Sequence, residues 1–129
     1  MTQSICPFCH LDHSKALLFN DHALAFPDGF PVTPGHSLIV PKRHIASFFE
    51  ATGEEWSALF DLVAGMRQLL LAEHGPDGFN VGINDGPAAG QTVMHLHIHL
   101  IPRYAGDTED PRGGVRWIMP EKAPYWKKR

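Results

Sequence analysis

The sequence predicts an α+β domain in which an antiparallel sheet packs against one long helix. Residues 53–74 form one long amphipathic segment with a helix start signal and a helix stop signal. Short apolar stretches between turn-forming residues occupy most of the other positions before residue 103. One helix among hairpin-type strands is typical of α+β domains, whereas α/β folds alternate strands with helices. The patterns indicate five strands, and the 129 residues are the length of a single domain, 1–129.

The first three predicted strands precede the helix. Apolar stretches at 15–19 and 22–26 flank Asn20-Asp21, a pair that favours a hairpin turn. After a loop rich in turn-forming residues, positions 37–40 form the third strand. Pro41 ends this strand, because proline cannot donate a backbone hydrogen bond to a neighbouring strand.

The predicted helix has a capping box at its start. The side chain of Thr52 can accept a hydrogen bond from a backbone amide in the first turn. The side chain of Glu55, three residues later, can accept one from the backbone amide of Thr52. Gly75-Pro76 ends the helix. One side of the helix is mostly apolar and suits packing against a sheet. That side is formed by Trp56, Leu59, Phe60, Val63, Arg67 and Leu70.

Two further strands follow the helix, at 79–84 and 93–101. Pro102 ends the last strand, and the C-terminal segment 104–129 wraps the surface, with a short extended piece at 115–119. Successive side chains of a strand point to opposite faces, and the fifth strand alternates cleanly. One of its faces is aliphatic and the other carries three histidines: Met94, Leu96, Ile98 and Leu100 against His95, His97 and His99.

Composition narrows the classes of partner and compartment. Apolar residues at 43% and charged residues at 19% are typical of globular proteins, and a net charge of -3 provides no broad basic surface for nucleic acid. No apolar run approaches the roughly 20 residues that cross a bilayer, so we expect no membrane partner. The N-terminus lacks the features of a signal peptide, so we expect a cytoplasmic protein. There, Cys6 and Cys9 serve as metal ligands or free thiols, not as a structural disulfide.

The three histidines of the fifth strand indicate phosphorus chemistry. The aliphatic face behind them would hold the rings rigidly. A neutral imidazole is a good nucleophile when one ring nitrogen is bare and the other holds the proton. A solvated face that happens to carry histidines is one alternative. A three-histidine metal site is another, although side chains in a row do not converge on one tetrahedral ion.

Three motifs in the same order resemble the histidine triad superfamily. They are the run His95-Leu96-His97-Ile98-His99-Leu100, the loop from Asn84 to Val93, and the stretch from Val32 to His44. The similarity spans residues 6–103, which is most of the chain. It implies a five-stranded antiparallel sheet with one long helix and a short helix. It also implies a nucleotide-phosphate hydrolase or nucleotidyl transferase that acts at an α-phosphate through a covalent nucleotidyl-histidine.

The resemblance implies a role for each matching position. His97 is the nucleophile, His99 contacts the phosphate or leaving group, and His36 supports it, with His95 as the first histidine of the triad. O–H and N–H groups that donate hydrogen bonds to the phosphoryl oxygens stabilise the negative charge that builds on them during attack. Asp28 would hold the ribose hydroxyls, and the phosphate would be contacted by Asn84, Gln91 and Thr92. The base would lie between Phe8 and Phe26, for which plain core packing is the alternative.

The implied substrates are dinucleoside polyphosphates or nucleoside phosphoramidates. The loop Gly86–Val93 is closest to the fragile-histidine-triad branch, which cleaves dinucleoside polyphosphates. That branch has an amide at the position of Asp28 and lacks the N-terminal cysteine pair, so the branch alone does not fix the substrate. The alternatives are a nucleotide-binding regulatory module with little turnover and a zinc-stabilised interaction protein. Family members usually pair across a twofold axis, which implies a homodimer.

The spaced cysteines Cys6 and Cys9 indicate a zinc site, because zinc takes four tetrahedral ligands and C-x2-C supplies two. Some histidine triad proteins complete such a site with two histidines. The positions that match here are His44 and His95. The ion would be structural and would fix the N-terminal segment to the catalytic strand. His10 and His13 are a local alternative, and two reduced thiols without metal are another.

Overall fold

A computed structural model describes Thr2 and residues 5–127. Within this part, five strands form one antiparallel sheet in the order β1-β2-β3-β5-β4, and a single α-helix packs on one face. This confirms the predicted fold class. The strands are β1 (Leu18–Phe19), β2 (Ala23–Pro27), β3 (Ser37–Pro41), β4 (Gly78–Ile83) and β5 (Ile98–Arg103), and the helix is α1 (Gly53–His74). Short 3-10 helices lie at His13–Lys15, Phe48–Glu50, Pro87–Ala89, Gly114–Ile118 and Tyr125–Lys127.

Both predicted ends of α1 are confirmed. Thr52 Oγ1 accepts a hydrogen bond from the Glu55 amide at 3.1 Å, and Glu55 Oε1 accepts one from the Thr52 amide at 2.9 Å. Gly75 ends the helix in the left-handed region, with φ of 60°, and its amide donates to Leu71 O. Glycine adopts this conformation without a steric penalty, which is why it ends helices so often.

No helix in the described part of the chain is long and apolar enough to cross a bilayer.

The side of α1 that packs on the sheet agrees with the predicted side only in part. Leu59 and Leu70 are buried as predicted, whereas Trp56 and Phe60 stack on each other and Phe60 is 48% exposed. The prediction was wrong at the two aromatic positions because large aromatic side chains dominate the pattern, whereas smaller residues one step around the helix meet the sheet. The buried positions are Glu55, Ala58, Leu59, Leu62, Met66 and Leu70.

The last strand begins five residues later than predicted and extends beyond its proline. Residues 93–95 are bends, and residues 96–97 have no regular secondary structure. Leu96 still donates its amide hydrogen to Ile45 O at 2.7 Å, and its side chain is buried with those of Ile98 and Leu100. The aliphatic face is therefore confirmed. Pro102 lies within β5 and does not end it.

The C-terminal segment also differs from the prediction. Residues 114–118 form a 3-10 helix where we predicted an extended piece at 115–119. Gly113 and Gly114 both have positive φ, at 92° and 45°, and these two residues turn the chain. The Arg116 guanidinium then donates to the carbonyls of Lys122 and Ala123. The segment is therefore folded back on itself beside β4.

Candidate active site

Two clusters of polar side chains meet near the start of β5, and His97 contacts residues of both. The metal cluster is formed by Cys6, Cys9, His44 and His95, and the imidazole pair is formed by His36 and His99 with the Asp28 carboxylate beside it. Four chain segments supply these groups. They are the N-terminal segment, the loop from β2 to β3, the loop that follows β3, and the stretch that leads into β5 and includes its first residues.

The hydrogen bond of the His97 ring selects the tautomer that a nucleophile requires. Its Nδ1 lies 2.8 Å from the carbonyl oxygen of His95. Because a carbonyl only accepts hydrogen bonds, Nδ1 carries the proton and Nε2 is left bare. The ring is 8% exposed, and its centroid lies 5.2 Å from that of His99. The three rings do not form the even row expected of one strand, since His95 and His97 precede β5.

The imidazole pair forms a chain of hydrogen bonds with a defined direction. The Val32 amide donates to His36 Nδ1 at 3.1 Å, so the His36 proton sits on Nε2. That proton faces His99 Nδ1 at 3.0 Å and the Asp28 carboxylate at 3.3 Å. His99 Nδ1 therefore accepts, which leaves the His99 proton on Nε2 as a free donor. Burial lowers the pKa of His36 and of His99, and the Asp28 charge opposes this in part, so both rings are neutral at pH 7.

The geometry of the metal cluster fits tetrahedral zinc. Cys6 Sγ and Cys9 Sγ each lie 3.5 Å from His95 Nδ1, Cys9 Sγ lies 3.1 Å from His44 Nδ1, and the two Nδ1 atoms are 3.2 Å apart. Zn–S bonds of about 2.3 Å and Zn–N bonds of about 2.0–2.1 Å give tetrahedral edges of about 3.5 Å and 3.3 Å. The four ligand atoms therefore surround a space of the right size for this ion.

A hydrogen bond beyond the ligand atoms prepares His95 for a metal. Its Nε2 donates to the Pro41 carbonyl at 2.8 Å, which leaves Nδ1 bare and directed at both sulfurs. Asp28, His36 and His99 are also close enough to share an ion, but the His36 ring turns its protonated nitrogen, and not its bare one, toward the other two groups. Its Nδ1 accepts from the Val32 amide, so its Nε2 holds a proton where a metal would need a lone pair. The chemistry of the donors therefore supports a metal at the first cluster and not at the second.

The loop between β4 and β5 is held in place by two polar side chains. The Asp85 carboxylate accepts hydrogen bonds from the Ser47 hydroxyl at 3.0 Å and from the Phe48 amide at 2.9 Å. Gln91 is buried, and its side-chain amide group donates to the carbonyls of Ala46 and Val93. Its amide oxygen accepts from the Gly86 amide at 2.8 Å.

The bonding of Gln91 corrects one expectation for the loop. Its side-chain hydrogens are already donated to two carbonyls, and its backbone amide donates to Gly86 O at 3.1 Å. The side-chain donor that we expected for the phosphate is therefore engaged within the protein, and Gln91 shapes the loop. Asn84 and Thr92 are exposed at the two ends of this loop, and their contacts with phosphate stay a prediction.

Phe8 lies between the two cysteines in sequence and covers one side of the nucleophile. Its ring centroid is 5.2 Å from that of His97 and 5.8 Å from that of His95, both in edge-on geometry. It is 5.6 Å from the ring of Phe26. The two phenylalanine rings contact each other, so no space for a base separates them in this conformation. Their contact with a nucleobase stays a prediction.

Several groups that build the site escaped the sequence analysis. The carbonyls of Pro41 and His95 and the amide of Val32 set the tautomers of three histidines, and backbone groups leave no mark in a residue pattern. Asp85 lies in the predicted loop from Asn84 to Val93, where the sequence analysis gave it no role of its own. Its position beside Gly86 in a turn-rich loop was the one signal for a side chain that anchors the loop.

With this geometry in place, comparison with known proteins decides the family. The sequence model of the HIT domain matches residues 12–106. The chain belongs to the HIT family. Among solved structures, this HIT domain is similar to a HIT family protein from Bacillus anthracis, with 40% identity and a TM-score of 0.75. That match covers 82% of this chain and 78% of the other.

Three other matches carry chemical information in their names. A zinc-bound histidine triad family protein from Mycobacterium smegmatis is 29% identical, with a TM-score of 0.74 over 84% of this HIT domain and 82% of that chain. The diadenosine triphosphate hydrolase of Plasmodium falciparum is 28% identical, with a TM-score of 0.71. That match covers 78% of this chain and 68% of the other. An adenylylsulfatase from Arabidopsis thaliana is 35% identical over 109 residues, which are 81% of this chain and 55% of that protein.

Proposed function

We propose that this HIT domain transfers a nucleotidyl group from phosphate-linked nucleotides to His97 and then to water. The observation that carries the proposal is the hydrogen bond from His97 Nδ1 to His95 O, which leaves Nε2 bare beside the imidazole pair. A covalent nucleotidyl-histidine divides one difficult displacement into two easier steps. The coarse assignment, a nucleotide hydrolase of the HIT family, has support from the named relatives.

The proposed reaction balances with one water molecule and the protons of the solvent. His97 Nε2 attacks the α-phosphorus, and the bond from phosphorus to the leaving group breaks. The leaving atom accepts a hydrogen bond from His99 Nε2, which the bond from His36 has made a donor, and an amine leaving group takes its proton from solvent. A water molecule then attacks the phosphorus, the bond to His97 breaks, and the proton lost by that water passes to solvent. The products are a nucleoside monophosphate and the free leaving group.

The substrates that we propose are dinucleoside polyphosphates or nucleoside phosphoramidates. The similarity to a diadenosine triphosphate hydrolase supports the first class. The similarity to an adenylylsulfatase adds mixed phosphate–sulfate anhydrides to the substrates worth testing. Asp28 lies beside the imidazole pair, where its carboxylate could accept two ribose hydroxyls.

The test of the mechanism is His97→Asn with His74→Asn as the matched control. His74 is an exposed histidine at the end of α1, far along the chain from the site. We expect His97→Asn to abolish turnover of diadenosine polyphosphates, adenosine phosphoramidates and adenylyl sulfate, and His74→Asn to leave it unchanged. Mass spectrometry of the quenched parent should detect an adenylyl group on His97. An active His97→Asn protein would refute the mechanism, and tight nucleotide binding by a parent without turnover would favour the regulatory module.

We propose a structural zinc ion held by Cys6, Cys9, His44 and His95. The ion would supply no step of the reaction and would fix the N-terminal segment, with Phe8, against the residues that lead into β5. The fit of the ligand atoms supports this, and so does the zinc-bound relative. A reducing compartment such as the cytoplasm would keep both cysteines available as ligands.

Metal analysis of protein purified without a histidine tag tests the zinc proposal. We expect about one equivalent of zinc in the parent and in a His10→Asn variant, and little in Cys6→Ser. Equal zinc content in the parent and Cys6→Ser would refute the proposed ligand set. Zinc that depends on His10 would favour the local alternative.

We also propose a homodimer that pairs α1 and the edge strand β4 of two copies. The stacked rings of Trp56 and Phe60 lie outside the core, and Phe60 is 48% exposed. Val81 on β4 is 45% exposed. Sedimentation at low micromolar concentration should give a dimer for the parent and a monomer for Phe60→Glu. A monomeric parent would refute the proposal.

A further inference from the structure

A cavity of about 780 Å³ lies along β5 on the same face as His99. Alternate residues of a strand share a face, so Ile101 and Arg103 follow His99 along this face. The burial pattern of β5 agrees, with these three residues half-buried and the other three residues of the strand buried. Asn80 pairs with Ile101 in the register of β4 and β5, and it lines the cavity from the neighbouring strand.

The cavity adjoins the candidate active site through the loop that precedes β3. Val32 and Thr33 line it, and the Val32 amide is the group that orients His36. Thr33 also ties this loop to β5, through a hydrogen bond of 2.6 Å to Pro102 O. From residue 97 to residue 101 the chain advances about 13 Å at the strand rise. A substrate with its phosphorus at His97 and several bridging phosphates could therefore reach the cavity.

The C-terminal segment forms the opposite wall and is already in place. Arg103 donates to both carboxylate oxygens of Asp107, at 2.8 and 2.7 Å, and to Asn80 Oδ1 at 2.6 Å. The Trp117 indole donates to Arg112 O at 2.7 Å, and its ring is 40% exposed at the cavity. These bonds hold the wall without a ligand, so binding would not have to order this segment.

The charges of the lining select against a phosphate group. Arg103 and Lys127 face Asp107, Glu109 and Asp110, which leaves a formal charge of -1. The Arg103 guanidinium is already paired with Asp107. What remains is the partly exposed indole of Trp117, the aliphatic Ile101 and the amide of Asn80. This combination suits a flat, neutral group with hydrogen-bonding edges, which is the chemistry of a nucleobase.

We propose that this cavity binds the nucleoside of the leaving group, so that the chain acts on dinucleoside polyphosphates with both nucleosides bound. The inference rests on the proposed function and names its substrate class. Phosphates would bridge from His97 past His99, and the second base would stack on Trp117. The C-terminal segment, which the catalytic motifs leave without a role, is then a specificity element for the leaving group.

The kinetic test compares a substrate that has a second nucleoside with one that lacks it. We expect Trp117→Ala to lower kcat/KM for diadenosine tetraphosphate about tenfold, in line with the roughly 1–3 kcal/mol measured for base–aromatic stacking. The kcat/KM for adenosine phosphoramidate should change less than twofold. Trp117→Phe, which keeps a ring, should recover most of the loss. The matched control is Ile118→Ala, which alters an exposed neighbour outside the cavity lining. Equal effects on both substrates, or none on the tetraphosphate, would overturn the inference.

A binding test separates this inference from the proposed function. In a His97→Asn background, calorimetry should show diadenosine tetraphosphate binding about tenfold tighter than adenosine monophosphate, and Trp117→Ala should remove that difference. This measurement needs no turnover, so it still decides the second site if the parent proves inactive. If both nucleotides bind equally to the His97→Asn protein, the second nucleoside site does not exist, whatever the activity of the parent.

Discussion

The ion pair of Arg43 and Glu55 joins the N-terminus of α1 to the chain segment that carries His44. Glu55 is 5% exposed, and the Arg43 guanidinium approaches its two oxygens at 2.8 and 3.0 Å. This guanidinium, helped by the Thr52 amide, lowers the pKa of Glu55 from 4.5 to about 2. Neutralising the carboxylate by Glu55→Gln therefore removes a pair that stabilises both the helix start and the segment next to the metal cluster.

The size of the effect follows from the pKa. At about 1.4 kcal/mol for each tenfold change in acidity, the fall to about 2 corresponds to about 3 kcal/mol. Arg43 is 53% exposed, so solvent screening reduces this figure, and we expect Glu55→Gln to lose about 2 kcal/mol at pH 7. For a domain of this length that loss lowers the Tm by about 7 °C. A depressed pKa gives stability that is complete above pH 4.5 and disappears as the pH falls toward 2.

Urea unfolding of the parent and Glu55→Gln between pH 7 and pH 2.5 measures this prediction. The difference between the two proteins should be about 2 kcal/mol at neutral pH and should shrink steadily below pH 4.5. Any loss of metal ligands in acid affects both proteins and cancels in the difference. Glu54→Gln is the matched control, because Glu54 lies in the same turn with its side chain 84% exposed, and we expect little change. A difference that stays constant down to pH 2.5 would refute the reasoning.

Three other perturbations test how the site is held. Asp85→Asn should weaken the anchor at Ser47 and Phe48 by about 1–2 kcal/mol and raise KM for nucleotides with little change in kcat; a raised kcat and unchanged KM would contradict this. Gly35→Ala should lower the Tm by several degrees, because φ is 91° and a Cβ would lie 3.0 Å from Leu70; an unchanged Tm would show that the loop relaxes. Asp28→Asn should lower the pKa of His36 further, since the carboxylate is the group that raises it, and an upward move in an NMR titration would reverse the assigned electrostatics.

Features set by local chemistry could be predicted from the sequence. The limits of α1 follow from a capping box and a terminal glycine, which act within a few residues. The aliphatic face of β5 follows from strict alternation. The ligand atoms of the metal cluster come together where the resemblance implied, although His95 lies 86 residues from Cys9. For the helix and the strand the residue types alone restrict the structure strongly, whereas the two histidine ligands were predicted from the family resemblance.

Features set by distant partners could not be predicted in the same way. Residues 93–97 continue the alternation of β5, yet they are not a strand, and the Leu96 amide bonds to Ile45 O in the loop that follows β3. The side of α1 that packs on the sheet depends on where the sheet lies, and the stacked rings of Trp56 and Phe60 were wrongly predicted to lie on that side. The donors of Gln91 are used by carbonyls that become neighbours only after folding.

The two parts of His95 serve the site in different ways. Its side chain faces the cysteines, whereas its main-chain oxygen holds the Nδ1 proton of His97. Any residue with an ordinary peptide bond brings that oxygen, but only a ligating side chain brings the other function. A descendant of this chain could therefore exchange His95 and both cysteines for apolar residues and still present a correctly protonated nucleophile. Loss of the proposed metal site therefore need not entail loss of the proposed nucleophile.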